Sequence, residues 1–559
     1  MPQDSRETVK EYLMRMHQDL KTCRSSFDAH WREVAEFVQP RAGRFSIDDV
    51  NKGDKRYRNI INSAATRAHR KARAGLLAGL MSPARPWFAL ETVDTDLMES
   101  AAVKQWCYQV ERLLRAVFNQ SNLYNQAPVL LGDTLLFGTS ALAHINDYND
   151  VARFEAWPVG SFCLAQDSKG RIDTAVREYT MTVRQMVTEF GLDAVSLNVR
   201  NAWDKSNYEA RFPIVRFIEP NPGANAKSPW SIHKPWRQVW FEYSGDNQKL
   251  LRQEGFDEFP VHAPRWDVTG EDVYATDCPG MTALGDVKGL QMMERRLAQG
   301  IDKLVNPPLV GPASLKTVNV QSLPGGLTVY DGDPNRTKLG PLYTVQPQVD
   351  HLRLNIQGIE KRIDEDFFVD LFMSVSTMEG IQPQNQLYLM QREAEKLLQL
   401  GPTLERMHGE FLTPLVDRTF NQLMRAGALP EAPPELGGQP LRVRYVSSLA
   451  MAQRSVATTN IDRMVAFVGG LMQVGYTQVV DKFDADQAVD EYAQALGVPP
   501  RLIVEDQQVQ ALRQQRAQMQ QAQMAAQMAQ AGANTAKMLS DAKTSDPSVL
   551  TAMAGGTQQ

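Results

Sequence analysis

"CPGMTALGDVKGLQMMERRLAQGIDKLVNPPLV" (residues 278–310) reads as helix over 282–304 and then runs into proline. From 305 to 346 proline and glycine dominate, which bars helix and leaves short strands and turns. A second helix is expected over "VDHLRLNIQGIEKRIDEDFFVDLF" (349–372). Two helices bracketing a Pro/Gly-rich insert are thus the organising feature of the chain.

Working outward, "SVSTMEGIQPQNQ" (374–386) is polar, holds Gly and Pro and reads as a mobile loop. Long helix follows over 387–426, with Pro402 and Pro414 expected to kink or segment it. On the N-terminal side, Val9, Tyr12, Leu13, Met16, Leu20, Phe27, Trp31, Val34 and Val38 predict a helix over 7–38 that Pro40 ends. A second helix is expected over 60–81. Its run Arg67, His69, Arg70, Lys71, Arg73 reads as a solvated face rather than a phosphate-contacting one. In "SPARPWFAL" (82–90) two prolines bar helix, and Trp87 and Phe88 require burial. Helices are expected again over 99–120 and 125–137. From 139 to 275 the period changes to two, with a strand in "RIDTAVREYTMTV" (171–183) and a hairpin around "SGDNQ" (244–248). Its tryptophans, Trp230, Trp236, Trp240 and Trp266, read as packing residues. Past the loop at 428–440, residues 455–496 are expected to be helical, with Asp484 as an N-cap facing Gln487. Eleven of residues 507–530 are Gln, in a helix-favouring stretch with little apolar surface; beyond about 531 a disordered tail is expected.

The chain has 559 residues, too many for one core, and 22% charged residues, ordinary for a globular protein. Its net charge of −5 argues against tight duplex binding over a large face, because such affinity comes from neutralising phosphates. The four cysteines, Cys23, Cys107, Cys163 and Cys278, form no CxxC and suggest a reducing compartment. The N-terminus carries charge where a signal peptide needs an apolar core, and the uncharged run 464–480 is too short and polar for a membrane span. No Gly-Lys dipeptide occurs, so no Walker A loop does; HExxH, GxSxG and GxGxxG are also missing from the sequence. The eight histidines include no pair at helical ligand spacing. The acidic clusters Asp94/Asp96, Asp331/Asp333 and Asp481/Asp484/Asp486/Asp490 sit where turns or helix starts favour acids anyway. Taken alone, these residues describe a large, mostly helical, non-enzymatic protein with no cofactor.

Five stretches in order resemble the portal (head-to-tail connector) proteins of short-tailed bacteriophages. They are "SSFDAHWREVAEFVQPRAGRF" (25–45), "SPARPWFAL" (82–90), the opening stretch 278–310, "LPGGLTVY" (323–330) and "LGPTLERMHGEFLTPLVDRTFNQLMRAGALP" (400–430). The resemblance implies an α+β, predominantly helical portal fold. In it a β-rich wing occupies 1–275 and 387–450, stem helices 276–304 and 347–373, a clip 305–346 and a tunnel loop 374–386. A helical crown spans 451–540 and a disordered tail 541–559. It further implies a homo-oligomeric ring of about twelve subunits at one capsid vertex of the virion, assembled in the host cytoplasm, through which double-stranded DNA enters and leaves. Implied partners are the terminase large subunit, which carries the ATPase, the major capsid protein and scaffold, and a tail adaptor, with no membrane. The alternatives are another phage structural protein, an adaptor or scaffold, or a metal-dependent nuclease built on the acidic clusters.

A ring gives the Gln-rich helix neighbours. Val509, Leu512, Arg516, Met519 and Ala526 make a thin, half-polar seam that two-stranded coiled coils would want more apolar, whereas ring symmetry repeats each weak contact. Lys303, Lys316, Arg336, Lys338, Lys361 and Arg362 are candidate channel residues. Equally, they could form salt bridges between subunits, for instance Lys361 or Arg362 with Asp364–Asp366 of a neighbour. In the tunnel loop the candidates are Ser376, Met378, Glu379, Gln382 and Gln384, of which only Glu379 is charged.

Overall fold

Thr8 opens the first helix with a capping box: its hydroxyl accepts from Glu11 N–H, and the Glu11 carboxylate accepts from Thr8 N–H at 3.0 Å. From that cap α1 (Val9–Val38) runs for 30 residues. The computed structural model describes residues 8–47, 49–94, 96–147, 150–243, 249–305, 309–311, 313, 340–341, 349–372, 400–446, 464–472, 483–489 and 506–541. The chain divides into two units, Met1–Asp94 with Trp106–Val456, and Thr95–Gln105 with Ala457–Gln559.

The first unit is built on a five-stranded antiparallel sheet, β4 (Phe162–Gln166), β5 (Ile172–Thr182), β6 (Arg211–Pro220), β7 (Trp236–Glu242) and β8 (Arg252–Phe256), in sequential order. Alternation along β6 sends Val215 and Phe217 to one face, where they pack with Leu13 of α1, and Ile214 to the other. That second face is covered by α5 (Val183–Phe190) and α6 (Leu197–Asp204), through Met186 and Val199. These two short helices interrupt the expected β-rich stretch. Their caps explain them: the Thr182 hydroxyl accepts from Gln185 N–H and the Gln185 side chain returns the bond, while Ser196 caps α6. The expected hairpin is the β7–β8 pair, with Trp240 opposite Arg252.

A three-stranded sheet, β3 (Val151–Trp157), β2 (Ala141–Asp147) and β9 (Val261–His262), lies against α4 (Leu123–Phe137). β1 (Phe88–Thr92) pairs antiparallel with β12 (Leu441–Tyr445), so the segment that two prolines keep out of helix becomes an edge ladder. Trp87 and Phe88 are buried beside Phe118 of α3 (Ala101–Gln120). α2 (Ala64–Met81) starts later than expected, because Ile61 and Asn62 leave helical geometry to bond elsewhere. Of its basic run, Arg67, Arg70 and Lys71 are exposed, but His69 is buried with its ring nitrogen 3.1 Å from Gly132 O.

The opening stretch forms α7 (Pro279–Thr282) and α8 (Leu284–Val305), and the second helix of the pair is α9 (Val349–Asp366). The insert between them begins and ends in a short antiparallel pair, β10 (Leu309–Val310) with β11 (Gly340–Pro341); its remainder lies outside the described residues, apart from 311 and 313. Helix was expected to continue to 372. Instead it breaks at Phe368, whose φ of 53° is left-handed, and resumes over 369–372. Consecutive residues of an unbroken helix point about 100° apart, so the break lets Phe367, Val369, Leu371 and Phe372 all be buried. A bulky residue in this region costs of order 1–2 kcal/mol, which the burial of four apolar side chains offsets.

The run expected over 387–426 is described from 400. Pro402 does not end it, and it stays helical to Arg425, where α10 (Thr413–Arg425) closes. Its departure from α geometry is one wide turn at His408–Leu412, where Thr413 N–H donates to His408 O. The turn falls immediately before Pro414 and relieves the clash a proline ring makes with the preceding turn. In the second unit, 464–472 is helical and Asp484 Oδ1 accepts from Gln487 N–H at 3.1 Å. The C-terminal α11 runs Asp506–Asp541, 36 residues, so the segment after 531 continues the helix where disorder was expected. Alanine, lysine, methionine and leucine there favour helix despite the glycine.

Candidate functional site: the paired helices and the C-terminal helix

α8 and α9 lie antiparallel, since Asp286 at the start of α8 bonds Arg362 near the end of α9. One knot ties the pair to the body. Gln291 Oε1 accepts from Ile61 N–H at 2.7 Å and Asn62 N–H at 2.8 Å, and Gln291 Nε2 donates to Asn62 O. The Asn62 amide nitrogen then donates to Glu294 on α8 and Glu360 on α9, at 2.8 Å each. Lys288 pairs with Glu33 of α1. Close approach at the same end requires glycine: a Cβ on Gly75 of α2 would lie 2.3 Å from Phe372 Cβ.

At the insert end most of the described residues of the pair are exposed. Residues 301–305 are all exposed, with Ile301 at 38%, Leu304 at 52% and Val305 at 70%, while Leu354 on α9 is 62% exposed. Exposed large apolar side chains at one end of a helix pair are candidates for an interaction surface.

The sequence candidates fall in different places. Lys303 is exposed at the insert end of α8. Lys361 is 75% exposed on α9, 3.7 Å from Glu365 one turn on. Arg362 makes a bidentate pair with Asp286 of the same chain at 2.8 and 2.9 Å. That bond holds the Asp286 carboxyl below its ordinary range. Burial instead raises Asp364 and Asp366, whose like-charged neighbours add to the effect. Asp286 to Lys303 is seventeen residues, about 25 Å along a helix, so Lys303 does not join Lys361 and Arg362 in one cluster. Lys316, Arg336 and Lys338 lie outside the described residues, as do the tunnel-loop candidates Ser376, Met378, Glu379, Gln382 and Gln384. Sequence reasoning missed the Asn62–Gln291 knot and Asp286. An acid in the first turn of α8 was the available signal for the latter, but such acids are common for dipole reasons alone.

On α11, Val509 is half-buried, Arg516 and Ala526 are exposed, and Leu512 and Met519 are 47% and 56% exposed. Arg513 clamps Asp486 with two bonds of 2.7 Å, and Asp486 is itself presented by the Asp484 cap. Among the described residues no group of three or more His, Cys, Asp or Glu is placed to hold a metal, and no helix is long and apolar enough to cross a membrane.

A family model for the bacteriophage head to tail connecting protein matches residues 10–504. The chain belongs to this family. It is 45% identical over 556 residues to the portal protein of Salmonella phage epsilon15, covering 99% of this chain and all of that one. Against the probable portal protein of Bordetella phage BPP-1 the identity is 39% over 546 residues, 98% of each chain. Among solved structures, a chain from the neck of an empty gene transfer agent particle computed with C6 symmetry aligns at a TM-score of 0.33. The identity there is 12%, covering 83% of this chain and 98% of that one. A chain from the virion of a native gene transfer agent particle aligns at 0.30 and 11% identity, covering 78% and 91%.

Proposed function

We propose that this chain is a portal subunit, about twelve copies of which close into a ring at one capsid vertex and form the conduit for double-stranded DNA during packaging and ejection. The near-full-length similarity to two phage portal proteins carries this reading. It is supported by the insert end of the helix pair, where Leu304, Val305 and Leu354 are exposed and would gain burial against a neighbouring copy. In this reading α8 and α9 are the stem, 305–346 the clip, 374–386 the tunnel loop, 451–540 the crown, and 1–275 with 387–450 the wing. The terminase large subunit and the tail adaptor dock on the ring, and the major capsid protein and scaffold surround it, during assembly in the host cytoplasm.

A twelve-copy ring at −5 per chain carries about −60 in formal charge, which suits a channel that must let a polyanion slide rather than hold it. Lys361, largely exposed beside Glu365, is then a better candidate for transient phosphate contact than Arg362, which is committed to Asp286. The test is a phage lacking this chain, complemented with wild type or with Lys361→Glu. Without the chain, heads should contain no DNA; heads filled normally in its absence would overturn the proposal.

A further inference from the structure

A basic cleft lies away from the helix pair, in the first unit. One face of α3 presents Tyr108, Arg112, Arg115 and Asn119 at helical spacing, and the loop before β1 brings Arg85 over it. Tyr124 of α4 also lines it. Pro83 and Pro86 stiffen the loop wall. The cavity is about 320 Å³, and no carboxylate is among the described residues lining it.

Arg115 Nε spends one donor on Glu111 O at 3.4 Å, and each guanidinium carries five N–H groups. Trp87 Nε1 donates to the Tyr124 hydroxyl oxygen at 3.2 Å, so the hydroxyl proton remains to be given elsewhere. Glu111, one turn from Arg115 on the same helix, accepts from Leu90 N–H at 2.8 Å, and burial raises its carboxyl to about 7, which weakens it as a counter-ion. Three guanidiniums around one concavity offer more donors than the two oxygens of a carboxylate use; a phosphoryl group has three oxygens and nearly two charges. A duplex reads an extended basic face rather than a cavity of this size.

We propose that this cleft is a binding site for a compact phosphate-class oxyanion, held by Arg85, Arg112 and Arg115 with the Tyr124 hydroxyl as a further donor. The source is free phosphate or pyrophosphate, or the 5′-phosphate of a nucleotide whose flat base uses the tyrosine-lined wall.

Titration calorimetry of the purified full chain at fixed ionic strength tests it, with phosphate, pyrophosphate, deoxyadenosine monophosphate and a glutamate-rich peptide as probes. Saturable binding of at least one phosphate compound is expected, about tenfold weaker in Arg112→Ala and in Arg85→Ala, both exposed positions. Arg70→Ala, an exposed arginine on α2, should leave it unchanged. Tighter binding of the nucleotide than of phosphate identifies the nucleotide source, and equal or weaker binding identifies the free anion. No saturable heat, affinity indifferent to Arg112→Ala and Arg85→Ala, or a preference for the peptide would overturn the proposal.

Discussion

Three buried side chains, His144, His262 and Gln422, tie β2, β9 and α10 together, and their bonds fix which proton sits where. His144 Nε2 meets Gln422 Oε1 at 3.0 Å, and Gln422 Nε2 donates to Asn146 Oδ1. His144 therefore carries its proton on Nε2, and its Nδ1 accepts from His262 Nε2 at 3.2 Å. Facing the pair are Arg418, which donates to His144 O and to Glu258, and Arg425, which pairs with Glu258 and Asp257. Burial, reinforced by Arg418, lowers both rings, His262 to about 3; burial also lowers His69 to about 4. A histidine whose folded pKa is depressed is stabilising in its neutral form. That contribution is present above the ordinary value near 6.5 and is lost as pH falls toward the folded one, by up to ~1.4 kcal/mol per pH unit and ring. Asp133, raised by burial to about 7, acts oppositely: acidification from 7 favours the fold. In urea unfolding at pH 7.5 and 5.0, His262→Gln should lose less stability on acidification than wild type, and Asp133→Asn more. Identical pH dependence in all three would contradict the assignment. The histidine pairing was not legible beforehand, because residues 144, 262 and 422 meet only through tertiary packing.

Among the elements, those with long periodic signals were legible and those made by short local chemistry were not. The spacing of Leu13, Trp31 and Val34 foretold α1 and its buried face, and the Pro/Gly shift at 305 foretold where α8 ends. α5 and α6, eight residues each, were hidden inside a period-two region and rest on the Thr182 and Ser196 caps. The Phe368 break was hidden too, since apolar residues at 367, 369, 371 and 372 read equally well as a continuing helix. Gly75→Val should destabilise the chain by about 1–3 kcal/mol, because its side chain would meet Phe372 at the base of the pair; a urea midpoint within error of wild type would count against that packing. For α11 the expectation divides. Leu512→Asp and Met519→Asp remove side chains already about half exposed, so the unfolding of a dilute single chain should not change. Self-association measured by sedimentation should weaken if they form the seam between copies, and unchanged association would remove α11 from that interface.

For the whole molecule, composition excluded more than it identified. A net charge of −5 argued against a static duplex binder, and the missing Walker A loop against a motor of that class, yet neither pointed to a ring. Five ordered stretches over 25–430 carried the family resemblance, and the family model spanning 10–504 bears it out. What sequence alone could not supply is which exposed side chains meet a copy of the same chain and which meet nothing, because a monomer leaves both in water. The central claim is that copies of this chain close into an annulus. Single-particle imaging of the purified protein across a range of concentrations tests it most directly. The account predicts rings with an axial hole and about twelvefold symmetry; compact single-chain particles at every concentration would contradict it.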